Sequence, residues 1–381
     1  MANTLTSLIP TMYAALDKVS RELVGFVAGV TRDSGVERAA LNQTVLVPVT
    51  PAASSADNTP GVTPPDTGDQ TIDNVSLSIS KSKHVAVRWN GEETLGLQNA
   101  GTYDTINVDR FAQAMRTLVN LVEVDLASMY AKASRAYGTA GTTPFGTAGD
   151  LSDAAFVHQI LDDNGTPLDD RHLVLSNAAI ANIRAKQSVL FKVNEAGTDA
   201  LLRRGIIGDL EGFSLHQSGQ VASHTKGSGA SYQTNNGAGY AVGDTAITLD
   251  TGSGTILAGD VVTFAGDSNK YVTTTALASN VVTIAKPGLR ATLADNVALT
   301  VGNSYRANMA FHRSAIVLAT RLPALPAQGD MAVDRTIVQD PVSGLAFEVA
   351  AYPGFRQMTY HVSLAWGYQL IKPEHTAILM G

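Results

Sequence analysis

Between Thr105 and Tyr137 apolar residues return every three or four positions, at Val108, Phe111, Met115, Leu118, Val122, Leu126 and Met129, with no Gly or Pro to interrupt them. That spacing marks one face of a helix. Asn107 is placed to cap its start, with Asp109 in the positively polarised first turn. Lys132 and Arg135 fall in the last turn, and Gly138 follows as a left-handed terminator. The pattern predicts a rod of roughly 45 Å. Leu121, Val124 and Ala127 widen its apolar surface, so the helix is expected to cross a domain body and be covered on more than one side.

The chain before this helix reads in two parts. Met12, Leu16, Val19, Leu23 and Phe26 give a helical stripe that Arg32-Asp33-Ser34-Gly35 ends, with Pro10 near its first turn. An amphipathic helix ahead of any domain body needs a surface to lie on. Leu16, Leu23 and Phe26 are therefore expected to touch a neighbouring subunit, with packing on the chain's own domain as the plainer alternative. Val45–Val49 then reads as a strand, which Pro48 places at an edge. Pro51–Gln70 has Val62 as its single large apolar residue and cannot bury a core. Val75–Ser80 alternates apolar and polar, and His84–Trp89 continues strand-like. Two strands around a polar tip make a long arm, and an isolated two-stranded ribbon is marginal in water. Lys81, Lys83, Arg88, Glu92 and Glu93 on its return side are expected to pair with charges on a neighbour. A solvated edge that resists aggregation is the plainer alternative.

Beyond the helix, a Gly/Thr loop (138–149) precedes a short helix at Ser152–Leu161 capped by Ser152, a buried-type strand at Arg171–Leu175 and a helix at Asn177–Gln187. This is a layered α/β pattern. Near Lys226 the composition turns linker-like. Short β-branched strands then follow at Thr245–Leu249, Val261–Phe264, Lys270–Thr275, Val281–Ala285 and Val297–Val301. Turns every eight to twelve residues suggest a small barrel or sandwich set into the α/β body. Strands at Thr336–Gln339, Ala346–Ala351, Met358–Trp366 and Thr376–Met380 close the chain.

Composition narrows the function. The 381 residues include only 16% charged ones, against about 25% in ordinary globular chains, so much surface must be hidden in a large core or against identical neighbours. A net charge of −7 disfavours bulk attraction to nucleic acid. The absence of cysteine excludes disulfides, thiolate zinc sites and cysteine nucleophiles. No apolar run approaches the ~20 residues that span a bilayer. There is no P-loop, no HExxH and no GxSxG. Gly227-Ser-Gly and Gly237-Ala-Gly read as linker, and Asp162, Asn164, Asp169 and Asp170 lack calcium-loop spacing. Glu123 and Asp125 read as part of the long helix's solvated face. No catalytic, cofactor or metal site is expected.

The segments LVGFVAGVTRDSG (23–35), VRWNGEETLGL (87–97), the 105–137 helix, GDLEGFSLHQSG (208–219) and GDVVTFAGDSNKYVT (259–273), in that order, resemble the major capsid proteins of tailed phages with the Hong Kong 97-type fold. The group of short-tailed Salmonella phage coat proteins, which carry an inserted β-barrel, is the nearest in pattern. The resemblance implies an α+β fold: an N-terminal helical arm (1–35), an extended two-stranded E-loop (36–100), a spine helix opening the peripheral domain (101–149), a first axial part (150–225), a β-barrel insertion domain (226–305), and a second axial part with peripheral strands (306–381). It implies a virion protein, not an enzyme, that assembles in the host cytoplasm with itself as hexamers and pentamers of an icosahedral shell. A scaffolding protein, a portal and a decoration protein are its expected partners, with no membrane and no sequence-specific nucleic acid. The chain is short for that group and reaches the spine by Thr105, which implies a separate scaffolding protein and no maturation cleavage. A tail or decoration subunit, or an α/β enzyme with a β accessory domain, are the alternatives. The first would lack so long a helix, and the second would gather titratable residues in a pocket.

Overall fold

The computed structural model describes residues 25–49, 55–63, 69, 73–99, 103–187, 208–339 and 344–381. The expected N-terminal helix, with Leu16 and Leu23, lies outside these residues, as do parts of the Pro-rich tip. The fold is α+β. It opens with a four-residue helix, α1 (Phe26–Gly29), and a strand, β1 (Thr31–Ala39). β2 (Thr44–Val49) and β3 (Asp73–Ser78) pair antiparallel as a sheet of their own. β4 (Lys81–Asn90), α2 (Gly91–Asn99) and the long α3 (Tyr103–Ala127) follow. A 3-10 turn, Ser128–Lys132, leads to β5 (Arg135–Tyr137). Next come α4 (Ser152–Asp163), β6 (Arg171–Leu175), α5 (Asn177–Lys186), β7 (Asp209–Leu210), β8 (Phe213–Gln217) and β9 (Ser223–His224).

Six short strands occupy the next stretch: β10 (Tyr232–Thr234), β11 (Ala246–Asp250), β12 (Val261–Phe264), β13 (Lys270–Val272), β14 (Val281–Thr283) and β15 (Ala298–Val301). They pair in the order β14-β11-β10-β15-β12-β13, and a Thr273–Ile284 bridge joins the two ends into a closed barrel. Ile247, Leu249, Val262, Phe264, Tyr271, Val282 and Leu299 fill it as a cluster separate from the other cores. β10 lies inside the stretch that reads as linker. β13 also pairs with β5, which ties the barrel to the body.

The remaining strands are β16 (Tyr305–His312), β17 (Ile316–Pro323), β18 (Asp334–Gln339), β19 (Ala346–Gly354), β20 (Gln357–Leu370) and β21 (Thr376–Met380). β20 organises one sheet. Its 14 residues pair with β4 along one edge, and with β19 and then β17 along the other. α3 lies on this sheet, burying Phe111, Met115, Leu118, Val122 and Leu126 against Val87, Val362, Leu364 and Trp366. The second sheet runs from the barrel through β5, β21, β16, β6 and β8. α4 and α5 pack there through Val157, Leu161, Ile180 and Ile183.

Several expectations are corrected. The long helix ends at Ala127, about 37 Å from its start, because Arg135–Tyr137 is claimed by β13 and β21. Gly138 is left-handed (φ 95°), but it follows a strand. Its missing Cβ matters there, since a Cβ would sit 3.0 Å from the Met380 carbonyl. Leu121 and Val124 are exposed, so among the described residues one side of α3 is left uncovered. Residues 31–35, expected to close the helical arm, and 36–39, expected to open the two-stranded loop, together form β1 and pair parallel with β17. Glu92 and Glu93 sit on a helix, not on a strand arm.

Candidate functional site

Two carboxylates of α3 behave opposite to the solvated-face expectation. Glu123 has no exposed surface. It accepts hydrogen bonds from the backbone N–H groups of Phe26 (3.0 Å) and Val27 (3.0 Å) and from the Ser218 hydroxyl (3.1 Å). The side chain thus clips together α1, α3 and the end of β8. Burial pushes its pKa up to about 7 from 4.5, against the lowering effect of those hydrogen bonds. Asp125 accepts from the Trp366 indole N–H (2.8 Å) and from Lys81 Nζ (2.5 Å). A sequence signal for both existed: Glu123 follows Val119 by four and precedes Leu126 by three, and Asp125 follows Val122 by three. Both therefore share the apolar face.

The expected contact residues separate into three groups. Phe26 is removed from the set, because it has no exposed surface and stacks on Phe311 inside its own chain. Lys81 is bonded to Asp125 within the chain, with about a third of its side chain still exposed. Lys83, Arg88, Glu92 and Glu93 are exposed. Arg88 lines a groove of about 450 Å³ between β4 and α3 with Glu93, Arg110, Gln113 and Thr117. Arg110 lies 4.2 Å over the Trp89 ring and donates to the Arg88 carbonyl. Glu93 and Asn90 cap α2 reciprocally: Glu93 N–H donates to Asn90 Oδ1 (2.7 Å), and Asn90 N–H donates to Glu93 Oε2 (3.1 Å). This capping box, Asn-x-x-Glu, was readable in the sequence.

Among the described residues, the β2–β3 ribbon is held at its root and along one face of β2, where Val45 and Val47 pack half-buried on the root cluster. Leu77 and Ile79 bury against Ala39, Val317, Ala319 and Ala365. The Asn42 N–H donates to the Ile79 carbonyl, and the Ile79 N–H to the Gln43 carbonyl. No residue of β2 is buried, and Leu46 and Val62 are exposed. At the root, Gly367 lets β20 approach the Ser78 carbonyl, where a Cβ would lie 2.1 Å away.

A polar cluster lies where β6 and β8 run side by side. His172 Nδ1 is 3.0 Å from His216 Nε2, and His172 Nε2 is 3.0 Å from Asp170, which also binds Arg313. Burial pushes His216 down to about 4, with the charges of His172 and Arg313 adding to it. Burial lowers His172 as well. Among the described residues, no three His, Asp or Glu side chains are placed to hold a metal ion, and no helix is long and apolar enough to cross a membrane.

No protein-family model matches the chain, and no curated protein matches it. Solved structures do. The chain is similar to one in the capsid structure of the cyanophage P-SCSP1u, at 12% identity and a TM-score of 0.48, covering 93% of this chain and 87% of that one. It is also similar to a chain of the mature capsid of bacteriophage PhiM1, at 10% identity and a TM-score of 0.45, over 93% and 86% of the two chains. A virus-like particle from Pyrococcus furiosus matches at 10% identity and a TM-score of 0.44, over 97% of this chain and 98% of that one.

Proposed function

We propose that this chain is the major capsid protein of a tailed double-stranded DNA phage, with the Hong Kong 97-type architecture, and that its function is to enclose the genome in an icosahedral shell. The β2–β3 ribbon is the E-loop, α3 the spine helix, the β20 sheet the peripheral domain and the β16 sheet the axial domain. The β10–β15 barrel is an inserted domain. The partners are further copies of the chain, a separate scaffolding protein, a portal and a decoration protein. The chain acts in the virion and is not an enzyme.

The observation that carries this reading is the ribbon. Its strands pair with each other, and β2 alternates: Val45, Val47 and Val49 are half-buried, the first two against the root cluster, while Thr44, Leu46 and Pro48 stand exposed on the other face. A two-stranded ribbon with one face left uncovered gains further packing from another molecule. The open side of α3, at Leu121 and Val124, has the same need. Many contacts worth about a kcal/mol each are multiplied when rotational symmetry closes the assembly.

The test is assembly. The purified chain, alone or with a scaffolding protein, is expected to sediment as closed shells visible by electron microscopy. Compact monomers under every assembly condition would overturn the reading.

A further inference from the structure

The turn between β19 and β20 is two residues long, Phe355 and Arg356, closed by the Gly354–Gln357 pair. Two-residue hairpin turns favour Gly, Asn or Asp at left-handed positions. Here Arg356 takes the left-handed backbone (φ 54°), and Phe355 stands 92% exposed beside it. Neither side chain is one that this turn favours. Next to them, α2 presents Leu95, which is 60% exposed. The two elements are fixed to each other: the Gly91 N–H donates to the Arg356 carbonyl (3.1 Å), and Asn90 pairs with Gln357 in the β4–β20 ladder. Between them lies an open cleft of about 630 Å³ lined by Glu92, Leu95, Phe355 and Arg356.

We infer that this corner is a homotypic contact, in which Phe355 of one copy enters the Leu95–Phe355 cleft of a second copy while Arg356 of one faces Glu92 of the other. This rests on the shell reading above and names one of its contacts. The argument for a second copy is the charge pattern. An apolar knob is flanked by one acid and one base, and among the described residues neither side chain has a hydrogen-bond or ion-pair partner. Such a patch is complementary to itself when rotated, whereas a partner of single-sign charge would meet one repulsive flank. The knob is pre-organised, since the hairpin ladder and the capped start of α2 hold both halves before contact. Little ordering entropy is then lost on association.

The experiment compares the full-length wild type with Phe355→Ser, Glu92→Arg, Arg356→Glu and the Glu92→Arg/Arg356→Glu double variant. Circular dichroism and thermal midpoints report folding, and sedimentation gives the concentration needed for assembly. Phe355→Ser is expected to fold like wild type and to raise that concentration about tenfold or more, as loss of a central aromatic contact does. Each charge reversal is expected to weaken assembly, and the double variant to recover it. If wild type assembles and Phe355→Ser matches it, or the double variant is no better than its parents, this contact is wrong while the shell reading stands. If Phe355→Ser fails to fold, the charge-swap series decides alone. If wild type never assembles, both fall.

Discussion

Replacing Glu123 by Gln should change the pH dependence of stability more than stability itself. In the folded chain the carboxyl is fully enclosed and titrates at about 7, chiefly because burial disfavours its charge. In the unfolded chain it reverts to 4.5. A raised folded pKa means that the folded state binds a proton the unfolded state has already lost. The group's stabilising contribution is therefore complete below pH 4.5 and disappears as pH climbs through 7. The rise from 4.5 to about 7 corresponds to about 3 kcal/mol. Gln keeps the shape, accepts from the Phe26 and Val27 N–H groups with its oxygen, and can donate to the Ser218 hydroxyl. It does not titrate. Urea unfolding of unassembled subunits at pH 5, 6, 7 and 8 reports the difference, in which the titrations common to both proteins cancel. The variant should gain on wild type with rising pH, by about 3 kcal/mol at pH 8 relative to pH 4.5. A gap that stays constant across this range would show that Glu123 is not held in a desolvated site, and the reasoning would fail.

Asp125→Ala leaves the Trp366 indole N–H enclosed without an acceptor and Lys81 without its partner. A loss of about 3 kcal/mol in a denaturation curve followed by tryptophan fluorescence is expected, and a loss below about 0.5 kcal/mol, the size of an ordinary surface change, would count against the buried pair. Gly367→Ala sets a methyl into the Ser78 carbonyl, so β20 or the ribbon root must move. Limited proteolysis should then cut the ribbon faster than in wild type, and an unchanged pattern would contradict the close approach. His216 has a depressed folded pKa, so its contribution is present above about pH 6.5 and is lost as pH falls towards 4. His216→Asn should flatten the decline of the thermal midpoint between pH 7 and 5, and an equally steep decline would place the acid sensitivity elsewhere.

The local code of the chain was legible where neighbours in sequence are neighbours in space. The three-and-four spacing at Phe111, Met115, Leu118 and Val122 set the buried face of α3. Alternation at Val75–Ser80 and the polar run after Pro51 set a ribbon. The turns after Asp250 and Gly266 set the barrel strands. What the sequence left open depended on partners far along the chain. β1 is polar and carries no strand signal, and its identity comes from β17, almost three hundred residues away. The helix stops at Ala127, tightens into a 3-10 turn and gives way to Arg135–Tyr137, which β13 and β21 pair with. Lys81 looked like a free surface charge, and only the crossing of β4 over α3 supplies Asp125. Glu123 titrates as it does because α1 and β8 remove its water. Period and propensity act over a few residues and decide which faces an element has. Desolvation and strand pairing act between elements, so only the assembled tertiary structure decides what each face meets.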